Sequence, residues 1–358
     1  MIIKKIKINN FRCFTNEIFC FGPKFTIVLG NNAIGKSSII EAIHQISVCK
    51  SFRTTEYREL IKENEDYFLV EGLVEENGRQ HSLSFYADRT VKKAKINNFN
   101  FVKLSDYIGT FNVVCFSSLD FLLVKGNPSD RRKMFELVFC QISKDYLYVS
   151  NYYKKFLKDR NALLKRLILE NRKQDRILLE TVSEQLIFYG KQLIKFRKEF
   201  CRKLSFYAEP IHNKISENKE QFQLLFEPCV DDKYEEKFNT AIEDDLRKGY
   251  TTIGPHRDDY IFIINNKNIM VYGSQGQQKN SIISLKLAMA ELVNEIKKEA
   301  PTLLLDDVFS ELDKNRQNAL VKNLNPNFQT IITAASISDI DKSIIDDSLI
   351  INLEKRSV

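Results

Sequence analysis

Eight consecutive residues, Gly30-Asn31-Asn32-Ala33-Ile34-Gly35-Lys36-Ser37, fit the spacing GxxxxGK[ST] without a gap. Each type has a task in holding a polyphosphate. Glycines let the backbone curl so that successive N–H groups face the phosphates. The helix that opens after the loop, at Ser37 and Ser38, adds the attraction of its N-terminus. Lys36 reaches the β- and γ-phosphates as a point charge, and the Ser37 hydroxyl ligates Mg²⁺. The pattern predicts ATP and Mg²⁺ as ligands. Such a loop needs a carboxylate for the metal at the end of a neighbouring strand, and Leu303-Leu304-Leu305-Asp306 supplies one nearly 270 residues later. Asp306 is expected to hold Mg²⁺ through a water. Asp307 projects differently and is expected to orient the attacking water or accept its proton. An acidic pair can also cap the helix that follows, but its place after three leucines favours the metal.

About thirty residues before that strand stands Ser274-Gln275-Gly276-Gln277-Gln278, opening a long apolar-periodic helix. Ser and Gly at a helix start leave free N–H groups and little bulk, which makes another anion site. The chain's own loop already occupies the phosphates of its own nucleotide. A second phosphate-reading helix start is most useful in trans, in a head-to-head dimer with ATP between two copies. Read in isolation, the segment is equally an ordinary capped helix.

The elements that must position these residues can be read from periodicity. KFTIVLG (24–30) is a short apolar strand, and 37–47 is a helix with Ile39, Ile40, Ile43 and Ile46 spaced for one face. Residues 1–29 contain two strands, and 67–103 alternate as an antiparallel region with a turn at Asn77-Gly78. Another buried strand covers 111–117. From Ser129 to about Leu204 the period is helical, but no heptad lasts long enough for a coiled-coil arm. Residues 217–249 are acidic and weakly patterned. Strands are expected at 260–264, 302–307 and 330–336, and a helix at 275–298. This predicts an α/β fold: a mixed sheet with flanking helices and an antiparallel β region (1–126 with 250–358), carrying an inserted helical lobe (127–249).

The chain of 358 residues is 43% hydrophobic and 28% charged, which suits a soluble protein. It has no apolar run of about 18 residues, so no membrane helix is expected. Its seven cysteines include no CxxC pair, and the N-terminus alternates like a strand rather than a signal peptide. A cytoplasmic location follows as an expectation. The net charge of +7 is uneven. Residues 144–204 carry 16 basic and 7 acidic side chains, 16 − 7 = +9, whereas 217–245 carry 3 and 10, 3 − 10 = −7. A basic block suits a polyanion, although a solvated helical face is the commoner explanation.

Taken together, NNFRCF (9–14), the loop at 30–43, KSFRT (50–54), GNPSDRR (126–132), FLKDRNALLK (156–165), GPHRDD (254–259), SQGQQK (274–279) and LLLDDVFSELDKNR (303–316) resemble the ABC-type ATPase heads of SMC-like DNA repair proteins, most closely the RecF-like family. The resemblance spans nearly the whole chain. It implies Gly30 to Ser38 as the ATP loop, with Lys36 and Asp307 catalytic and Ser37 and Asp306 on Mg²⁺. Ser274, Gln275, Gly276 and Gln277 would be the signature read in trans, with Asp313 coupling the two sites. Arg12 and Arg53 match basic positions near the loop, as phosphate contacts or as core salt bridges. It implies a weak, DNA-stimulated ATPase used as a switch. An ATP-induced homodimer would bind duplex, gapped and junction DNA without sequence preference and act with RecR in loading RecA, away from any membrane.

This sequence departs from the family pattern in places. Ile34 stands where a polar residue is usual, Ser37 where Thr is usual, and Asp120 lacks its customary Pro and Glu neighbours. TIITAAS (330–336) lacks the switch histidine of transporter ATPases, which predicts slow hydrolysis. Arg131 and Arg132 could face DNA or pack the lobe, and the task of His256, Arg257 and Asp258 is open. The competing reading is an ABC-type ATPase subunit of another assembly.

Overall fold

The computed structural model describes residues 1–354 apart from 77, 98, 102, 171, 172, 231 and 232; the expected turn residue Asn77 and the basic Arg172 lie outside the described residues. The chain begins with β1 (Ile2–Phe11) and β2 (Phe14–Cys20), enters β3 (Phe25–Leu29) and then α1 (Lys36–Val48). Next come β4 (Tyr67–Glu76), β5 (Arg79–Asp88), β6 (Lys92–Ile96), β7 (Phe99–Phe101) and β8 (Val113–Phe116). Three helices follow: α2 (Pro128–Ile142), α3 (Lys144–Glu170) and α4 (Lys173–Ile215). After β9 (Phe222–Glu227) come α5 (Tyr234–Thr240) and α6 (Ile242–Lys248). The C-terminal part holds β10 (Asp259–Ile264), β11 (Lys267–Asn268), α7 (Gln275–Lys297), β12 (Thr302–Asp306), α8 (Lys314–Asn323), β13 (Thr330–Ala334) and β14 (Ser348–Asn352).

Three sheets result. A six-stranded sheet runs β2-β1-β4-β5-β6-β7, its neighbours antiparallel. A parallel sheet runs β14-β3-β13-β12-β8. Its inner strands β3, β13 and β12 are buried on both faces, as a sheet covered on both sides requires. In β12, Leu304 faces the core shared with α1, and Leu303 and Leu305 face the core shared with α2, α4 and α7. Helix α1 lies between the two large sheets. Ile39, Ile40, Ala42, Ile43 and Ile46 are all fully buried, each isoleucine contributing roughly 1.5–3 kcal/mol. The sequence pattern suggested one apolar face, yet the helix is covered on nearly all sides, Glu41, His44 and Gln45 included. The Gln329 side chain stitches the sheets together: it accepts from the Ile3 N–H at 2.8 Å and donates to the Ile3 carbonyl at 2.7 Å.

Helices α3 and α4 form an antiparallel hairpin, shown by Arg166–Asp175 at 3.2 Å and Arg160–Ser183 at 2.9 Å. The 43 residues of α4 span about 65 Å at 1.5 Å per residue. Beyond this pair, no longer arm occurs among the described residues. The expected lobe boundary at 249/250 cuts through a three-stranded sheet, β11-β10-β9, in which β9 pairs with β10 over six residues. FQLLFE (222–227) is masked in the sequence by its acidic surroundings, and only pairing with β10 makes it a strand. One continuous core joins the parallel sheet to the helical hairpin.

The joint between lobe and head is built from the two motifs most specific to the sequence. Arg131 grips Asp259 through two bonds of 2.7 Å and donates to the Gly126 carbonyl, while Arg132 donates to the Asp258 carbonyl at 2.6 Å. The fully buried Asp258 pairs with Arg197 of α4 at 2.8 Å and accepts the Cys229 N–H at 2.9 Å. His256 bridges the Tyr153 hydroxyl and the Thr251 carbonyl. Gly254 has φ +140°, and a Cβ there would meet the Tyr153 hydroxyl at 2.7 Å, so only glycine fits. GNPSDRR and GPHRDD are thus two halves of one buried clasp.

Candidate functional site

The loop between β3 and α1 closes on itself. Gly35 has φ +108°, and a Cβ would lie 2.7 Å from Cys13 Sγ and 2.8 Å from Phe14 Cζ. Strand β2 therefore packs directly under the loop and demands glycine there. Lys36, almost fully buried, donates its ammonium to the carbonyls of Gly30 at 2.5 Å and Asn31 at 3.0 Å. Asn31 N–H donates to the Glu354 carboxylate at 3.1 Å, so this loop amide faces an anionic oxygen. Asn32 and Ala33 are exposed at the loop tip, and Ser38 is buried with its hydroxyl against Cys13. Ile34 packs against the core below. Its side chain fills the space beside Gly30, where a Cβ would come within 2.8 Å of it, which accounts for an apolar residue at that position.

Strands β3 and β12 flank β13, and this order carries Asp306 to the loop. The Ser37 hydroxyl stands near enough to the Asp306 carboxylate to favour its ionised form. Thr333, at the end of β13, donates to Asp306 Oδ1 at 3.0 Å and accepts the Asp307 N–H at 2.8 Å. Thr333 was not singled out from the sequence. Its only signal there was its place in the strand that ends beside both others. Asp307 takes the left-handed φ of +56°. A hydroxyl and a carboxylate are hard oxygen donors that suit Mg²⁺, an ion that takes its remaining ligands from water and phosphate. No cluster of three or more His, Cys, Asp or Glu side chains suited to a metal occurs among the described residues.

Burial pushes the Asp306 carboxyl above its ordinary value, opposed by the Ser37 and Thr333 hydroxyls and by Arg53. A carboxyl whose folded pKa is raised binds protons more readily when folded. Its contribution to stability is full below the unfolded value, near 4, and is lost as pH rises through the folded one. Asp306→Asn is therefore expected to raise the unfolding midpoint of the nucleotide-free protein at pH 8. That advantage should shrink as pH falls towards 4, while Mg²⁺-dependent ATP hydrolysis is lost. Calorimetry across pH checks the first part and phosphate release the second.

Arg12 and Arg53 converge on Glu41, one turn into α1 and fully buried. Arg12 binds it through two bonds of 2.8 Å and also donates to the Glu59 carbonyl. Arg53 stands 3.7 Å from the same carboxylate and remains half-exposed. Of the two roles open for Arg12, the structure shows the salt bridge. Arg53 keeps a free flank, close enough to Asp306 to favour its ionised form.

The signature segment lies elsewhere. Ser274 caps α7: its hydroxyl accepts from Gln277 N–H at 3.2 Å, and Gln277 Oε1 accepts from Ser274 N–H at 3.0 Å. Helix α7 packs beneath β8. Lys286 forms a buried ion pair with Asp120 at 2.5 Å and donates to the Cys115 carbonyl at 2.6 Å. Strands β3 and β8 are three steps apart in the sheet, about 14 Å at 4.7–4.9 Å per step. Asp313 caps α8, accepting from Arg316 N–H at 3.1 Å.

The basic hairpin divides into two sets. Arg160 and Arg197 are buried, Arg160 on Asp245, Ser183 and Thr251. Arg131 and Arg132 belong to the clasp. Lys155, Lys158, Lys165, Arg166, Lys195, Lys198 and Arg202 are exposed on α3 and α4.

The family model described as the RecF/RecN/SMC N terminal domain matches residues 2–350. The chain is 37% identical to the DNA replication and repair protein RecF of Bacillus cereus (strain AH820), over all of this chain and 98% of that protein. The same identity and coverage hold for RecF of Bacillus mycoides (strain KBAB4). Among solved structures, the recombination mediator protein RecF with ATPrS, of the RecFOR pathway, superposes with a TM-score of 0.87 and 34% identity, over 95% of this chain and 94% of that one. An Smc head domain with an extended coiled coil from Pyrococcus furiosus matches at a TM-score of 0.53 and 15% identity, over 98% of this chain and 92% of that one, a likeness of fold.

Proposed function

The chain belongs to the RecF family of SMC-like, ABC-type ATPase heads, and on that premise we propose that it is an ATP-driven DNA-binding switch of recombinational repair and replication. One observation carries the reading: Ser37, Asp306 and Thr333 meet beside the phosphate loop, while the signature helix sits against the opposite edge strand. The strand order supports a site whose signature part comes from a second copy.

In this reading Lys36 and the loop amides hold the ATP phosphates. Ser37 and Asp306 would hold Mg²⁺, which would supply positive charge to the phosphates. Asp307 orients a water towards the γ-phosphorus and takes its proton as the bond to the β-phosphate oxygen breaks. Ser274, Gln275, Gly276 and Gln277 of a second copy close the site, so ATP joins two heads and hydrolysis parts them. The loop after β13 has no histidine to sense the γ-phosphate, in keeping with a slow clock. The exposed cations of α3 and α4 track the phosphates of duplex, gapped or junction DNA without reading bases. RecR is the expected protein partner, in helping RecA load.

Two measurements test this. Sedimentation with and without ATP–Mg²⁺ is expected to show an ATP-dependent dimer for wild type. Ser274→Arg, which fills the anion site with a long side chain, should leave a monomer that still binds ATP. A wild type that stays monomeric at saturating ATP sinks the switch. DNA affinity is expected to fall roughly 500-fold between 50 and 200 mM salt if about five phosphates are neutralised. A flat salt dependence would remove the hairpin from the DNA interface.

A further inference from the structure

Gly276 in the signature is not needed for its backbone conformation, since its φ is not in the left-handed region. A Cβ there would lie 2.4 Å from Arg316 Nη2 and 3.5 Å from Cζ. The arginine of α8 therefore lies flat against the first turn of α7, in the space a side chain would take. It is held there from two directions. Its Nε donates to Asn280 Oδ1 at 2.9 Å, and its Nη1 pairs with Asp313 Oδ2. The second Asp313 oxygen accepts the Arg316 N–H. Two edges of the guanidinium are spent on orientation. Nη2 is left beside Gly276, in the first turn of a helix whose leading amides no intrahelical carbonyl can satisfy. About a quarter of the side chain faces solvent.

We propose that Arg316 is a phosphate-reading residue of the composite site: in the dimer its Nη2, with the Ser274 hydroxyl and the helix amides, contacts the terminal phosphate of the nucleotide held by the other copy. This rests on the trans reading above. The planar fork explains the choice of arginine, because an ammonium cannot hold Asn280, Asp313 and a phosphate at once. It also gives the glycine a reason, as room for the guanidinium. Asp313 then acts by fixing Arg316, which links the signature to the segment after the metal strand. By two-fold symmetry each copy offers its Arg316 to the other.

The experiment compares wild type, Arg316→Gln, Arg316→Lys, Ser274→Arg and Lys36→Ala for ATP affinity by a fluorescent ATP analogue and for ATP-dependent dimerisation by sedimentation. Arg316→Gln is expected to keep its ATP affinity within about twofold while dimerisation weakens at least tenfold, about 1.4 kcal/mol. Arg316→Lys, which keeps a positive charge at Gly276 but loses the fork, should recover part of the dimer. If lysine is no better than glutamine, Arg316 only braces the segment and the proposal fails. Arg316→Gln and Lys36→Ala, each monomeric alone, should dimerise when mixed, since the nucleotide of one faces the intact Arg316 of the other; no dimer on mixing overturns the trans contact. If Arg316→Gln dimerises like wild type while Ser274→Arg does not, Arg316 is idle and the composite site stands. If wild type itself never dimerises, both fall.

Discussion

Lys36→Ala should abolish ATP binding at concentrations that saturate wild type, with affinity lower by about 100- to 1000-fold. Lys36 already bridges the loop, with its ammonium on the Gly30 and Asn31 carbonyls. Nucleotide phosphates would compete for that charge with more negative oxygens. Charge-assisted bonds contribute about 1.5–3 kcal/mol each, and losing two near the lower end, about 3–4 kcal/mol together, gives the stated range at about 1.4 kcal/mol per tenfold. The fold should survive. Truncating the side chain vacates the space it fills, so that water can reach the otherwise buried Gly30 carbonyl and the part-buried Asn31 carbonyl, and Ile34 still anchors the loop to the core. Equilibrium titration with labelled ATP, beside an unchanged far-ultraviolet dichroism spectrum, checks this. Undiminished binding would mean that the loop amides alone hold the nucleotide.

Asp258→Ala is expected to be the most damaging substitution away from the nucleotide. It would strand Arg197, which is buried in α4 with bonds to Asp258 and the Pro255 carbonyl. It would also leave the Cys229 N–H without its acceptor, while Arg132 keeps its bond to the backbone carbonyl of residue 258. Breaking a buried ion pair from one side costs about 3–5 kcal/mol, because the remaining charge has no partner. For a chain of this size that lowers the unfolding midpoint by about 4–7 °C. Below that temperature ATP affinity should stay near wild type, because the clasp lies on the lobe side of the parallel sheet. Thermal unfolding together with ATP titration at low temperature separates the two effects. A midpoint within about 2 °C of wild type would show that Arg197 finds another partner.

Much of the candidate nucleotide site is legible in the sequence because it is local. A glycine-rich loop must carry its own φ freedom, charge and hydroxyl within eight residues, and a metal carboxylate must end an apolar strand, so Gly30 to Ser37 and Asp306 announce themselves. The parallel strands were equally plain, since a strand buried on both faces reads as an apolar run. The antiparallel sheet showed itself by alternation. By the same logic, β9 was hidden: an edge strand of an otherwise acidic stretch has no strong period, and only its ladder to β10 makes it structure.

The remainder depended on three dimensions. That Arg12 binds Glu41, that Arg131 and Arg160 are spent inside the protein, and that Thr333 holds Asp306 follow from side chains far apart in the chain meeting at short range. Nothing in local spacing encodes which arginine finds which carboxylate, because a cation on a helix reads the same whether its face meets water or a buried acid. The pairing of GNPSDRR with GPHRDD is the fullest case. Each motif was recognisable, but its task existed only once α2 and β10 were packed together. The sequence by itself determined what chemistry the chain carries, because phosphate and metal recognition need fixed residue types at fixed short spacings. The tertiary structure alone decided which charges remain free to act, and it set the signature helix on the far edge of the sheet from the loop, because strand order and burial are properties of the assembled core.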